Sequence, residues 1–416
     1  MFQSLSLPFL GGNMKTEIKQ RIEQIRHGNV PEGYKKTKAG IISSDWDVYM
    51  LGDCLSRVER PVEVKSKELY TQIGIRSHGK GLFYKEPVTG AALGNKSVFW
   101  IEPDCFILNI VFAWEQAIGK TTQSEVGMIG SHRFPMYRSV NGRVDIDYLI
   151  SYFLTKRGTD ILEAASPGGA GRNKTLGQDG FLKSKIVLPP IDEQKKIAKI
   201  LTTQDKIIEL KQKLIAEKQR QKKYLMQQLL TGKKRLPGFN KAWGTVELGE
   251  IFDYIQPTAY LVKTTDYDNA YKTPVLTAGK TFILGYTDET QGVFTEVPVV
   301  IFDDFTTATK YVDFPFKAKS SAMKILTIKD GFSIFFSYEA MQLIKFTVGG
   351  HERHWISKYS FITIDIPEIE EQNAIAKVLS TADRELDLLR QDIEQEKQKK
   401  KALMQLLLTG IVRVSV

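Results

Sequence analysis

Two Gly-Lys-Thr strings, Gly119-Lys120-Thr121 and Gly279-Lys280-Thr281, come closest in this chain to a phosphate-binding loop. A loop that wraps phosphate in backbone amides needs another glycine five residues before the first. Those positions hold Trp114 and Pro274, so nucleotide hydrolysis is not expected. His351-x-x-His354 has helical spacing, but no cysteine joins it and acids are few nearby, so no metal site is expected. Nothing resembles a hydrolytic triad. Neither the N-P-P-[FY] string nor the F-x-G-x-G loop that adenine methyltransferases use is present. The expectation is a chain with no catalytic residue, no metal and no cofactor of its own.

The remaining chemistry is that of binding. Ser77-x-Gly79-Lys80 and Thr277-x-Gly279-Lys280 repeat a basic turn, flanked in the first case by Arg76 and His78. Gly168-Gly169-x-x-Arg172 and Gly349-Gly350-x-x-Arg353 repeat a second pattern. Paired glycines allow close backbone approach, and an arginine beyond them can clamp phosphate or read guanine with two hydrogen bonds. Asn173 and Lys174 extend the first copy, and Lys310 closes an aromatic, β-branched run from Val293. The candidate DNA contacts are therefore Arg76, His78, Lys80, Arg172, Asn173, Lys174, Thr277, Lys280, Lys310 and Arg353. Ordinary surface turns with solvated side chains remain the alternative for each.

These patterns recur because the chain repeats itself. Pro189–Arg235 aligns without a gap to Pro367–Arg413, with 22 identities over 47 positions. Trp46 with Leu51-Gly52 matches Trp243 with Leu248-Gly249, and Asp104 aligns with Asp304. Ile22, Gln24, Ile25 and Gly28 overlay Met226, Gln228, Leu229 and Gly232, so the chain opens partway through its own repeat. Such an order resembles a circle cut open, which can close with two-fold symmetry.

Both matched segments predict long helices, begun after proline and ended by Thr-Gly. Ile375, Leu379, Ala382, Leu386, Leu389 and Ile393 alternate four and three residues apart, a coiled-coil seam. Ile197, Leu201, Gln204, Ile208, Lys211 and Ile215 repeat that register, and the seams turn apolar again at Leu225, Leu229, Leu403 and Leu407. The intervening segments read as short strands with turns. The expected organisation is a tail with a short helix (1–30), an α+β domain (31–188), a helical repeat (189–235), a second α+β domain (236–366) and a second helical repeat (367–416). Sequential helices would pack antiparallel, with a domain at each end of the rod.

Charge points to a polyanion. The net charge is +10, and Ile191–Arg235 carries 13 basic against 5 acidic residues while Ile369–Arg413 carries 8 against 8. The first helix is therefore expected to run beside phosphate. Two cysteines, Cys54 and Cys105, imply no disulfide framework, and Met1–Leu10 lacks a basic leader with a long apolar run. The expectation is a soluble cytoplasmic protein with no membrane span.

At the helical repeats a family resemblance emerges. Two domains opened by W-x(4)-L-G, each followed by I-x-E-Q-x-x-I-A-x-x-L-x-x-x-D and L-L-T-G, resemble Type I restriction-modification specificity subunits from about Thr16 onward. The resemblance implies two target recognition domains, each reading half of a split site in double-stranded DNA. It also implies helices that set the gap. Two modification subunits would dock on the repeats and bring S-adenosylmethionine, and optional restriction subunits would bring ATP and Mg. The competing reading is a coiled-coil adaptor that ignores DNA.

Overall fold

The structure is a computed structural model that describes residues 12–38, 40–168, 174–277, 279, 281–347 and 353–414. Two helices of 39 residues dominate it, Ile191–Leu229 and Ile369–Leu407. Their first turns carry Asp192 and Glu193, and Glu370 and Glu371, where negative charge favours the helix dipole. Gly232 and Gly410 end them at φ of +65° and +71°, a left-handed conformation that glycine adopts without steric cost.

The sixteen seam positions of the two helices are buried or half-buried, the polar Gln204 and Lys211 included. Leucines off the seam stand in solvent: Leu210 is 55% exposed and Leu388 60%. The packed face is therefore set by the alternating four-three spacing, not by hydrophobicity alone.

By its internal contacts the chain forms two compact units, Met1–Leu210 with Ile393–Val416, and Lys211–Asp392. Each contains one globular part, the start of one long helix and the end of the other. In the first unit Ile197 and Leu201 share a core with Leu407 and Leu408. In the second, Ile375 and Leu379 share one with Leu229 and Leu230. The cut-open circle of the sequence is thus visible inside each unit. The short opening helix, Gly12–Arg26, belongs to the first unit and packs Ile18 and Ile22 on Ala402, Leu406 and Ile411.

Both globular parts carry the same four-stranded antiparallel sheet. Its order is Ile118–Lys120, Phe106–Leu108, Met136–Ser139, Leu55–Val58 in the first unit. In the second it is Thr309–Val312, Val299–Asp303, Met323–Ile328, Phe252–Ile255. Ile107 pairs with Met136 and Ile301 with Ile325, which makes Ile107 and Ile301 equivalent. That register corrects one sequence landmark. Asp104 falls opposite Pro298, not Asp304, and the two aspartates differ accordingly. The Asp104 side chain is 80% exposed, whereas Asp304 is buried beside Lys324 at 3.5 Å.

The I-x-E-Q motif ties helix to domain identically in both units. Gln194 accepts from the Asp145 amide (3.0 Å) and donates to the Pro189 carbonyl (2.9 Å), which caps the helix Ile146–Phe153. Gln372 does the same with the Ser333 amide (2.8 Å) and the Pro367 carbonyl (2.8 Å), ahead of Ile334–Met341. Glu193 accepts from Trp46 (3.2 Å) and forms two bonds with Arg413, both 2.8 Å. Glu371 accepts from Trp243 (3.2 Å) and from Arg235 (2.6 Å).

Three lysines of the first long helix pair with acids in the same unit. Lys211 pairs with Asp392 (2.8 Å), Lys218 with Glu385 (2.6 Å) and Lys222 with Asp383 (2.7 Å) and Glu339 (2.8 Å). These three seam lysines are neutralised within the unit, whereas Lys199, Lys206 and Lys223 of the same helix are exposed. The falling partner numbers also establish that the helices run antiparallel in this unit.

Glu339 is 1% exposed, and burial raises its pKa despite the Lys222 ammonium beside it. A raised carboxyl pKa means stability is lost as pH climbs through it. Replacing Lys222 by Met removes the compensating charge and raises that pKa further. The expected deficit is about 2–4 kcal/mol near neutral pH, shrinking as acid protonates Glu339. Urea unfolding of parent and variant across the pH range from roughly 5 to 8 measures it.

Candidate nucleic-acid interface

In the first unit a hairpin, Ile73–Ile75 with Leu82–Tyr84, carries the basic tip. Arg76, His78 and Lys80 are all exposed there. The tip is nevertheless fixed. The Arg76 amide donates to Gly81 (3.0 Å), His78 to the Glu115 carbonyl (2.7 Å) and Gly79 to the Gln116 carbonyl (2.9 Å). The Ser77 hydroxyl donates to the Glu115 carboxylate at 2.9 Å. The Arg76 guanidinium donates to the Leu82 carbonyl (2.8 Å) and lies 5.0 Å from the Phe83 ring centroid.

His78 holds φ of +61°, uncommon for a residue with a side chain. Gly79 follows at φ of +62°, a left-handed conformation that favours glycine. The result is a rigid platform that presents two cations and an imidazole to solvent. Lys174 joins it, with its ammonium 5.3 Å from the Trp114 ring, on the same turn (Ala113–Glu115) that anchors the hairpin. Arg172 and Asn173, from the same sequence cluster, lie outside the described residues.

The second unit carries the matching hairpin, Thr273–Leu276 with Ile283–Thr287. Its tip closes through Thr277 donating to Phe282 (2.9 Å), as Arg76 does to Gly81. The Thr277 hydroxyl is spent on its own turn, accepting from Gly279 (2.9 Å) and donating to Thr281 (3.2 Å). It therefore shapes the tip. Lys280 lies outside the described residues.

Lys310 is exposed on the edge strand Thr309–Val312, and Arg353 is exposed ahead of the turn His354–Ser357. Both belong to the neighbourhood of one loop. His354 donates its amide to the Asp304 carbonyl (2.9 Å) and Trp355 to the Asp304 carboxylate (3.0 Å), which fastens the Arg353 segment to the loop leading into that strand. Phe305 in this loop is 42% exposed, an apolar face beside two cations.

Lys120 pairs with Asp147 (2.8 Å) from a sheet strand, and Thr121 is buried. His354 is buried against Phe346, and His351 lies outside the described residues. Among the described residues no group of three His, Cys, Asp or Glu could hold a metal, and no helix is long and apolar enough to cross a membrane.

Sequence reasoning passed over the Trp–Glu–Arg ties. Their signal was available, since Trp46 and Trp243, Glu193 and Glu371, and Arg413 and Arg235 occur at equivalent places in both copies. Such a recurring trio marks the joint between helix and domain.

The model of the Type I restriction modification DNA specificity domain matches residues 44–219 and again 240–398. Over 140 residues the chain is 54% identical to the Escherichia coli Type I restriction enzyme EcoR124I/EcoR124II specificity subunit, a match spanning 34% of that protein. It is 25% identical over 425 residues to the MjaVIII specificity subunit of Methanocaldococcus jannaschii, covering 92% of this chain and 96% of that one. In fold it resembles the Type I restriction-modification S subunit from M. genitalium, with 14% identity, a TM-score of 0.59, and 87% and 96% of the two chains covered. With most of both globular parts and of both long helices inside the matched residues, this chain belongs to the Type I restriction-modification DNA specificity subunit family.

Proposed function

We propose that the chain reads a split, asymmetric site in double-stranded DNA, one half per globular part, and supplies no catalytic group. One observation carries this reading. Two domains with the same sheet order expose different candidate contacts, Arg76, His78 and Lys80 on a hairpin tip in one, and Lys310 on an edge strand and Arg353 ahead of His354–Ser357 in the other. Shared scaffolds with unlike contact residues suit unlike half-sites. Methylation of an adenine amine would come from two modification subunits that bring S-adenosylmethionine, and cleavage from restriction subunits that bring ATP and Mg. The absence of phosphate-loop and methyltransferase strings in the sequence supports that division.

The test is methylation mapping of genomic DNA from cells expressing the chain with its modification subunit. Two unlike halves are expected, and a palindromic motif would overturn the reading. Replacing Arg76 and Lys80 together by alanine should relax one half only. It should also weaken binding roughly tenfold and reduce the salt slope by about 1–2. Random DNA that shows no salt-dependent binding would favour the adaptor instead.

A further inference from the structure

The two units differ at one quasi-equivalent place. The helices Ile146–Phe153 and Ile334–Met341 have equal length and the same Gln-capped start, so Ser151 occupies the place of Glu339. The helix repeat makes Lys400 the equivalent of Lys222, and Asp205 that of Asp383. In the second unit Lys222 sits between two carboxylates, Asp383 and the buried Glu339. In the first, Asp205 is the acid that Lys400 meets among the described residues, and Ser151 turns its hydroxyl to the Asp147 carbonyl at 2.9 Å.

Beside Lys400 a cavity of about 440 Å³ opens in the first unit. Leu154, Met404 and Leu408 give it an apolar lining, and Lys397, Lys400 and Lys401 stand among its five cations with no acidic residue. Lys397 reaches Glu394 at 3.6 Å, whereas Lys401 has no ion-pair partner among the described residues.

We propose that this cavity is a docking site for a partner polypeptide, which inserts a carboxylate flanked by apolar side chains. The incoming carboxylate supplies to Lys400 and Lys401 what Glu339 supplies to Lys222 from within. Duplex phosphate is the poorer occupant, since it brings no apolar side chains to pack on Leu154, Met404 and Leu408. The inference deepens the partner part of the proposed function and predicts that the two partner sites are unequal. One already contains its acid, and the other must receive it.

The experiment uses the full chain labelled with ¹³C-methyl methionine, the Met404 signal being assigned from a Met404→Leu variant. Three probes are titrated: N-acetyl Leu-Glu-Leu amide, N-acetyl Leu-Gln-Leu amide and a short DNA duplex. The Glu peptide should move the Met404 methyl, and the Gln peptide should bind about tenfold more weakly through loss of the charge-assisted bond. Lys401→Ala, an exposed change that spares the core, should weaken the Glu peptide several-fold. Ser151→Glu should abolish its binding by filling the site internally. Equal binding of both peptides, no movement with either, or movement with DNA alone would overturn the proposal. None of these readouts uses half-site recognition, so the DNA reading stands or falls separately.

Discussion

Replacing Glu193 by alanine is expected to destabilise the first unit by about 2–4 kcal/mol, among the largest single-residue effects in the chain. Glu193 is fully buried, accepts from Trp46 and binds Arg413 twice, so one carboxylate fastens the start of one helix to residues beyond the end of the other. Removing it leaves the Trp46 indole N–H without its acceptor and strips Arg413 of two bonds, with Ser43 and Asp45 as its remaining partners. The cost falls toward the lower part of the range for broken buried pairs, because the Arg413 side chain keeps 33% of its surface in solvent. Glu193→Gln, which can still accept from Trp46, should lose less. Urea unfolding followed by tryptophan fluorescence reads both, and a change below about 1 kcal/mol for Glu193→Ala would contradict this role.

The second large effect concerns the gap between half-sites. If the paired helices set that gap, lengthening both should widen it. The insertion point matters. Leu229 and Leu230 lie in the core of the second unit, so an insertion beside Thr231 would tear that packing. One heptad inserted after Leu210 and another after Asp392, at the borders of the two units, keeps the four-three seam in register. Seven residues add about 10 Å, and the gap is expected to grow by two or three base pairs with both halves unchanged. Methylation mapping checks the outcome. A folded variant that methylates only the original spacing would show that other subunits position the domains.

Much of this molecule is legible in its sequence because helix packing repeats on a short period. The four-three spacing from Ile197 to Leu229 and from Ile375 to Leu407 dictates both seams, and the Thr-Gly pairs dictate where they end. The order of the repeat dictates the circular assembly of each unit. These are local rules, and the chain obeys them twice. The absence of catalytic strings was equally plain to read.

Only the tertiary structure decided which polar residues face what. Lys211, Lys218 and Lys222 look like a basic track in one dimension, yet each meets an acid more than 100 residues away. Thr277 closes its own turn, and Asp104 and Asp304 align in sequence without sharing a place in the sheet. Hydrophobic periodicity is fixed by neighbours along a helix, so it survives in the sequence. The partner of a charge is fixed by chain segments brought together only on folding, and no spacing along the chain encodes which ones they are.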